Sequence, residues 1–263
     1  MADETIIYEK KDGIATLTFN RPQAMNAGNF QMMEESRRAI EDARDDEAVR
    51  VLIVTGAGRA FHAGDDVKEV FLGDDREKRR TAGKVARIRG TTGPSGLPQI
   101  FKPTIAAVNG AAVGYGMDIA LSCDIRIASE NAKFGYFYVR RGLMGTEIGP
   151  LMLVHNVGLS RAMEMMLSGE LIDAAEADRI GLVSRIVPAE KLLEEANTLA
   201  VKLMQAAPLA QQAVKRSVYK ALYDPSEIAQ FTGNLLSLLF ETEDHLEGAR
   251  AFTEKREPEY KGR

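Results

Sequence analysis

Three features of the sequence predict an α/β fold with a helical C-terminal region. Short apolar and β-branched runs, Val49 to Thr55 and Thr104 to Val108 the clearest, have strand length and suit interior strands. Each leads into a glycine-rich turn, Gly56 to Gly64 after the first and Gly110 to Gly116 after the second. After Val187 the strand signals stop, and the change in composition near Pro188 marks a helical tail. The expected division is a core over residues 1–188 and a helical region over 189–263.

Taken in order, Thr5 to Tyr8 and Ile14 to Phe19 alternate around Lys11-Asp12-Gly13, which predicts a hairpin that Arg21-Pro22 ends. Phe30 to Ala43 carries Phe30, Met33, Arg37 and Ile40 at helical spacing. A short helix begins at Val67 to Val70, with Asp65 or Asp66 as its cap. Arg76 to Arg89 holds seven basic residues, either a solvated helix face or a cradle for substrate phosphates, and Gly90 to Pro98 is a loop. Pro103 bars helical geometry from the residue before it, and after Asn109-Gly110 the residues Met117, Ile119, Ala120 and Leu121 continue as a short buried helix. Cys123 to Ala128 is the next strand, and Lys133 to Val139 reads as an aromatic strand. Gly142 to Gly149 is a third glycine turn, and Pro150 suits the first position of the helix Leu151 to Val157. Ser160 to Leu167 is helical; Asp173 to Glu176 has capping-box spacing and opens a helix that stops at Gly181; Val183 to Val187 is a strand. Three helices follow, Ala189 to Gln205, Leu209 to Leu222 and Ser226 to Lys255.

With 34 basic and 38 acidic residues the net charge is −4, which argues against nucleic acid as the main partner and for a small molecule. The single cysteine, Cys123, excludes an internal disulfide and fits a reducing compartment. The acidic start, MADETIIYEK, has no apolar run, so a cytoplasmic location is expected. His62, His155 and His245 show no metal-ligand spacing, so no metal is expected.

The stretch Lys102 to Ser129 carries one acid, Asp118, in its apolar middle. A strand, a glycine turn and a helix N-terminus present free backbone N–H groups, a place to hold negative charge. Ile105 to Cys123 has the length of a membrane span and a GxxxG pair, but Asn109, Asp118 and the strand-like flanks oppose that reading. Gly110, Gly114 and Gly116 also match the spacing of short-chain dehydrogenases. A dinucleotide fold opens with this turn, whereas about a hundred residues precede it here. None of the seven tyrosines is followed four residues later by lysine, which disfavours a nicotinamide oxidoreductase.

Taken together the motifs resemble the crotonase superfamily, the enoyl-CoA hydratases and isomerases. They are Asn20-Arg21-Pro22 with Met25-Asn26-Ala27; Phe61 to Asp66; Pro103 to Asp124; Ala177 with Gly181-Leu182-Val183; and Glu247-Gly248, Ala251-Phe252, Glu254-Lys255-Arg256 and Pro258. The resemblance implies a spiral core of ββα units, a helical region that packs homotrimers or dimers of trimers, and an acyl-CoA thioester substrate. Coenzyme A belongs to that substrate, and no separate cofactor, membrane or nucleic acid is implied. It further implies that the N–H groups of Asp65 and Tyr115 bind the thioester oxygen, although the family commonly has glycine where Tyr115 stands. Met25, Ala27, Ala63, Asp65, Asp66, Val67 and Lys68 are expected along the coenzyme A site, with Lys255 as a further phosphate or ribose partner.

In the hydratases that this chain resembles, two glutamates activate one water, at the positions of Asp118 and Tyr138. Here only the first holds an acid, and Tyr138 is expected to fill the pocket. Dienoyl-CoA isomerases are more similar at the first position, where they use aspartate; their further acid lies at the place of Thr146, where the neighbouring Glu147 takes the part. The expected proton carriers are therefore Asp118 and Glu147, with Arg140 or Arg141 beside Asp118. The expected activity is double-bond hydration or isomerisation through an enolate. The alternatives are a silent acyl-CoA binding or scaffold protein, and an acyl-CoA hydrolase or decarboxylase on the same scaffold.

Overall fold

The computed structural model describes residues 5–72, 96–145 and 148–263. β1 (Ile6–Lys11) and β2 (Ile14–Phe19) form the expected antiparallel hairpin, paired from Ile6↔Phe19 to Lys11↔Ile14. Asp12 and Gly13, with φ of 49° and 80°, make a two-residue turn whose twist matches that of the strands. α1 (Phe30–Asp45) starts at Asn29, whose Oδ1 accepts the Met32 N–H at 2.9 Å, and buries Met32, Ala39, Ile40 and Ala43. β3 (Val51–Gly56) runs parallel to β2, and β4 (Ala60–His62) leaves it for a second sheet.

A π-helical turn, Val67–Phe71, follows the glycine turn, and its cap is Asp66, which accepts from the Lys68 and Glu69 N–H groups. Then come β5 (Thr104–Val108), β6 (Ala111–Val113), α2 (Tyr115–Ser122), β7 (Ile125–Ser129) and β8 (Lys133–Gly135). α3 (Ile148–Val157), α4 (Leu159–Ser168), β9 (Leu171–Asp173), α5 (Ala174–Arg179) and β10 (Arg185–Val187) complete the sheets. The rest is helical: α6 (Leu192–Met204), α7 (Pro208–Tyr223), α8 (Ile228–Phe240) and α9 (Glu243–Glu254).

The large sheet has the order β1-β2-β3-β5-β7-β10 and the small one β4-β6-β8-β9. The pairs β3/β4, β5/β6 and β7/β8 each step from the large sheet into the small one, so the backbone advances as a spiral. Ile14, Val51, Ile53, Ile105, Ala107 and Ile127 face Leu192, Ala196 and Ala200 of α6. The alternate residues Leu17, Leu52, Val54, Ala106 and Val108 face the main core. Burial on both faces explains why these strands read as unbroken apolar runs.

Several boundaries differ from expectation. The aromatic strand ends at Gly135, where its partner β6 ends at Val113, and Phe137–Arg141 closes into a 3-10 helix. Cys123 and Asp124 belong to no strand; Asp124 instead accepts from the Thr104 N–H and hydroxyl, both at 2.8 Å. The last expected helix is broken at Glu241 and Thr242, because Thr242 caps α9 by accepting the His245 N–H. The Asp173 box is half closed: Asp173 accepts the Glu176 N–H, while the Glu176 carboxylate turns to Arg179. The basic stretch 76–89 and the loop up to residue 95 lie outside the described residues. Among the described residues no helix is long and apolar enough to cross a membrane, and Ile105 to Cys123 is strand, turn, strand and helix.

Candidate active site

Two turns meet edge to edge. Gly28 and Asp65 form a parallel bridge in which the Gly28 N–H donates to Gly64 O and the Asp66 N–H to Gly28 O, both at 2.8 Å. Asp65's own N–H is not used in that bridge. Gly64 has φ of +89°, and a Cβ there would lie 3.0 Å from Val113 O and 3.7 Å from Tyr115 N. The other turn enters α2 through Gly114 at φ 55° and ψ −119°, a conformation open to glycine. Tyr115 N opens the helix. Neither the Asp65 nor the Tyr115 N–H has a hydrogen-bond partner among the described residues.

His62 lies between the two turns and fixes both. Its Nδ1 accepts the Gly64 N–H at 3.1 Å, and a Cβ on Gly116 would stand 1.9 Å from its carbonyl oxygen. Its ring packs on Phe19 at 4.8 Å and on Tyr115 at 5.5 Å. Burial pushes the imidazole down to about 3, so it stays neutral, with Nδ1 the acceptor. Beside it an apolar recess is lined by Phe19, Gly28, Met32, Tyr115 and Ile119.

Asp118 sits one helical turn beyond Tyr115, on the same face of α2, and is 1% exposed. Its Oδ2 accepts from Tyr138 Oη at 2.7 Å. Tyr138 therefore bonds the acid instead of merely filling space, because the 3-10 turn swings it inward. Tyr136 packs edge-on against Tyr138 at 5.1 Å, and burial, then the Asp118 charge, raise the pKa of its phenol. Gly145 and Gly149 leave room for this cluster: a Cβ on Gly149 would lie 1.9 Å from Asp118 Oδ1, and one on Gly145 1.5 Å from Tyr136 Oη.

Asp65 is the second carboxyl here. Burial pushes it up to about 6, the Asp118 charge adds to this, and Arg141 opposes it. The phenols of Tyr115 and Tyr138 are raised by burial and also feel both carboxylates. Of the two arginines, Arg141 acts at Asp65. Arg140 is turned away, over the Phe137 ring at 5.4 Å and towards Ser168 O at 3.3 Å. Glu147 lies outside the described residues. Sequence reasoning missed Tyr136 and His62; a hint of the first is the two-residue spacing from Tyr136 to Tyr138, and of the second its place two residues before Gly64.

The expected binding residues form one loop cluster. Met25 and Asn26 are left-handed, with φ of 54° and 56°, and Met25 O accepts the Ala63 N–H at 3.1 Å. Asn26, fully buried, donates to Ala57 O and Ala60 O and accepts the Arg21 N–H. Arg21 reaches Ala27 O at 2.6 Å and pairs with Asp66 at 3.2 Å and Glu69 at 3.0 Å, so the Asp66 carboxylate is committed to the loop. Val67 and exposed Lys68 follow in the π turn. Lys255 caps the end of α9 and makes no hydrogen bond to this cluster among the described residues.

The family model described as enoyl-CoA hydratase/isomerase matches residues 9–263. The chain is 39% identical over 272 residues to a protein of Mycobacterium tuberculosis named as a probable enoyl-CoA hydratase, covering 99% of each chain. It is 38% identical over 266 residues to the 2,3-dehydroadipyl-CoA hydratase of Escherichia coli, covering 98% of this chain and 99% of the relative. A crystal structure of an enoyl-CoA hydratase subunit from Geobacillus kaustophilus superposes with a TM-score of 0.88 at 37% identity, covering 98% of both chains. With these likenesses running from end to end of the spiral, the chain belongs to the enoyl-CoA hydratase/isomerase family.

Proposed function

We propose that the protein binds an acyl-CoA thioester and hydrates or isomerises its double bond through an enolate. The observation that carries this reading is the pair of N–H groups, Asp65 and Tyr115, that have no partner among the described residues, beside the buried Asp118 carboxyl. Moving a proton next to a thioester drives negative charge onto the carbonyl oxygen, and two fixed dipoles stabilise that charge without reorganising. Losing one such donor typically costs about 3 to 4 kcal/mol in the transition state. His62 holds the geometry from behind, and Asp118 carries a proton. The Met25 to Ala27 and Ala63 to Lys68 segments line the coenzyme A portion, with the exposed Lys68, which makes no ion pair among the described residues, for a phosphate. The reading asks for no metal or nicotinamide, and it keeps the expected cytoplasmic location.

The same reading makes the protein a homotrimer or dimer of trimers. Supporting it, α8 buries none of its residues, and Leu236, Leu238, Phe240 and Phe252 are 55–86% exposed, apolar area that a second copy would cover. Sedimentation of the purified protein checks this.

The test of the activity is α-proton exchange. A panel of enoyl- and acyl-CoA esters is incubated in heavy water with the wild type and with Asp118→Asn, and the esters are read by mass. Exchange with the wild type that is lost in the variant is expected, and the product of the best ester separates hydration from isomerisation. Binding of esters without exchange overturns the reading.

A further inference from the structure

We propose that the Tyr136 hydroxyl holds the reacting water together with Asp118, so that one carboxyl and one phenol carry out hydration at this site. The inference rests on the enolate reading above and deepens it to the addition of water. Tyr136 is 2% exposed, and its hydroxyl, shut off from bulk solvent, has no hydrogen-bond partner among the described residues. A buried hydroxyl left unpaired costs about 1 to 3 kcal/mol, and a group kept at that cost calls for a ligand or an ordered water.

The surrounding backbone keeps this hydroxyl beside the acid. A Cβ on Gly145 would stand 1.5 Å from Tyr136 Oη, so the third glycine turn packs directly onto it. A Cβ on Gly149 would stand 2.7 Å from Tyr136 Oη and 1.9 Å from Asp118 Oδ1. The phenol oxygen and the carboxyl oxygen thus lie within 2.7 Å of one point, close enough together to share a single water. Tyr138 is already committed: its hydroxyl donates to Asp118 Oδ2 at 2.7 Å, and its ring holds the Tyr136 ring edge-on at 5.1 Å.

A phenol oxygen accepts as well as donates. With Asp118 accepting one hydrogen of the water and Tyr136 Oη the other, a lone pair of the water oxygen is left for carbon. Asp118, as carboxylate, takes its proton as the O–C3 bond forms; the C2=C3 π pair shifts to C1–C2, and the carbonyl π pair to the oxygen under the two N–H groups. The enolate pair then forms a C2–H bond with the proton that Asp118 has just received, which returns Asp118 to the carboxylate. The sum is substrate plus water. Tyr136 keeps its own proton throughout.

Tyr136→Phe keeps the ring and removes the hydroxyl. Expected is hydration of an enoyl-CoA ester slowed about tenfold with KM little changed, the scale of one hydrogen bond. Exchange of the α-protons of a saturated acyl-CoA ester needs Asp118 and the N–H pair but no water on C3, so the ratio of hydration to exchange drops in Tyr136→Phe. Asp118→Asn loses both reactions. Removal of an unpaired hydroxyl should leave the urea midpoint at or above that of the wild type. If hydration and exchange fall together with a lowered midpoint, or if neither falls, the water-holding role is wrong and the enolate reading stands. The same holds if the wild type shifts the double bond without adding water. If the wild type exchanges no proton on any ester, both fall.

Discussion

The Tyr138 hydroxyl reaches Asp118 Oδ2 at 2.7 Å across a site where Asp118 is almost wholly buried. Hydrogen bonds to charged groups contribute about 1.5 to 3 kcal/mol. Tyr138→Phe keeps the ring and removes this bond, so the carboxylate form of Asp118 loses support. The expected outcome is turnover reduced about tenfold at pH 7, with the acid limb of the pH–rate profile moved to higher pH. Steady-state kinetics across pH checks it, and an unmoved acid limb would show that the bond is idle.

Gly116 has no room for a side chain, since a Cβ would stand 1.9 Å from the His62 carbonyl oxygen. Gly116→Ala must push the two turns apart, displacing the Tyr115 N–H relative to the Asp65 N–H. Loss of one donor is expected to lower kcat by about 100-fold or more, with the far-ultraviolet circular dichroism preserved.

His62 gives the fold a definite acid sensitivity. Its folded pKa, about 3, lies below the ordinary 6.5, so the unfolded chain takes the proton first. The stability this group contributes is complete above pH 6.5 and is lost as pH falls towards 3. His62→Leu leaves the Gly64 N–H without its acceptor and should cost about 1 to 3 kcal/mol at neutral pH. The gap between wild type and variant should close on acidification. Urea unfolding of both proteins at pH 7 and pH 4.5 measures this, and a gap of equal size at both would refute it.

Asp65 works in the opposite direction. Its folded pKa, about 6, lies above the ordinary 3.8, so ionising it is harder in the folded state. Its contribution is full below pH 4 and declines as pH rises through 6. Asp65→Asn should therefore stabilise the protein at pH 7.5, by an amount on the order of 2 kcal/mol, and change little at pH 4.

Lys215 is 8% exposed and joins α7 to the core: its Nζ donates to Asp124 Oδ2 at 2.7 Å and Lys102 O at 2.9 Å, while Tyr219 donates to Asp124 Oδ1 at 3.1 Å. Lys215→Met removes the cation from a carboxylate that keeps its Thr104 and Tyr219 donors, and is expected to cost about 1.5 to 3 kcal/mol, seen as a lower urea midpoint. Turnover per folded molecule should not change.

The long elements could be read from the sequence because burial on both faces leaves an unbroken apolar run, as in β3 and β5. Of the small sheet only β8 could be read. Ala60–His62, Ala111–Val113 and Leu171–Asp173 are three residues each, too short to show a period, and two of them lie inside or beside glycine turns. The burial of Asp118 was legible from its apolar surroundings, and Asp65 and Tyr115 were named from the resemblance alone; Tyr136 and the inward turn of Tyr138 depend on where β8 stops, which its partner β6 decides. The break before α9 had a local sign, Thr242 followed by Glu243 and Asp244, a cap with acids in the first turn.

The Lys215–Asp124 latch closes over 91 positions of chain. During vectorial synthesis α2 and the start of β7 leave the ribosome long before Lys215 and Tyr219 exist, so Asp124 must wait hydrated, and the end of the helix bearing Asp118 is left unfastened. The half of the molecule that carries Asp118 is thus made before the helix that ties it down, and a nascent chain truncated before residue 215 would carry Asp118 and both glycine turns without this fastening to the core.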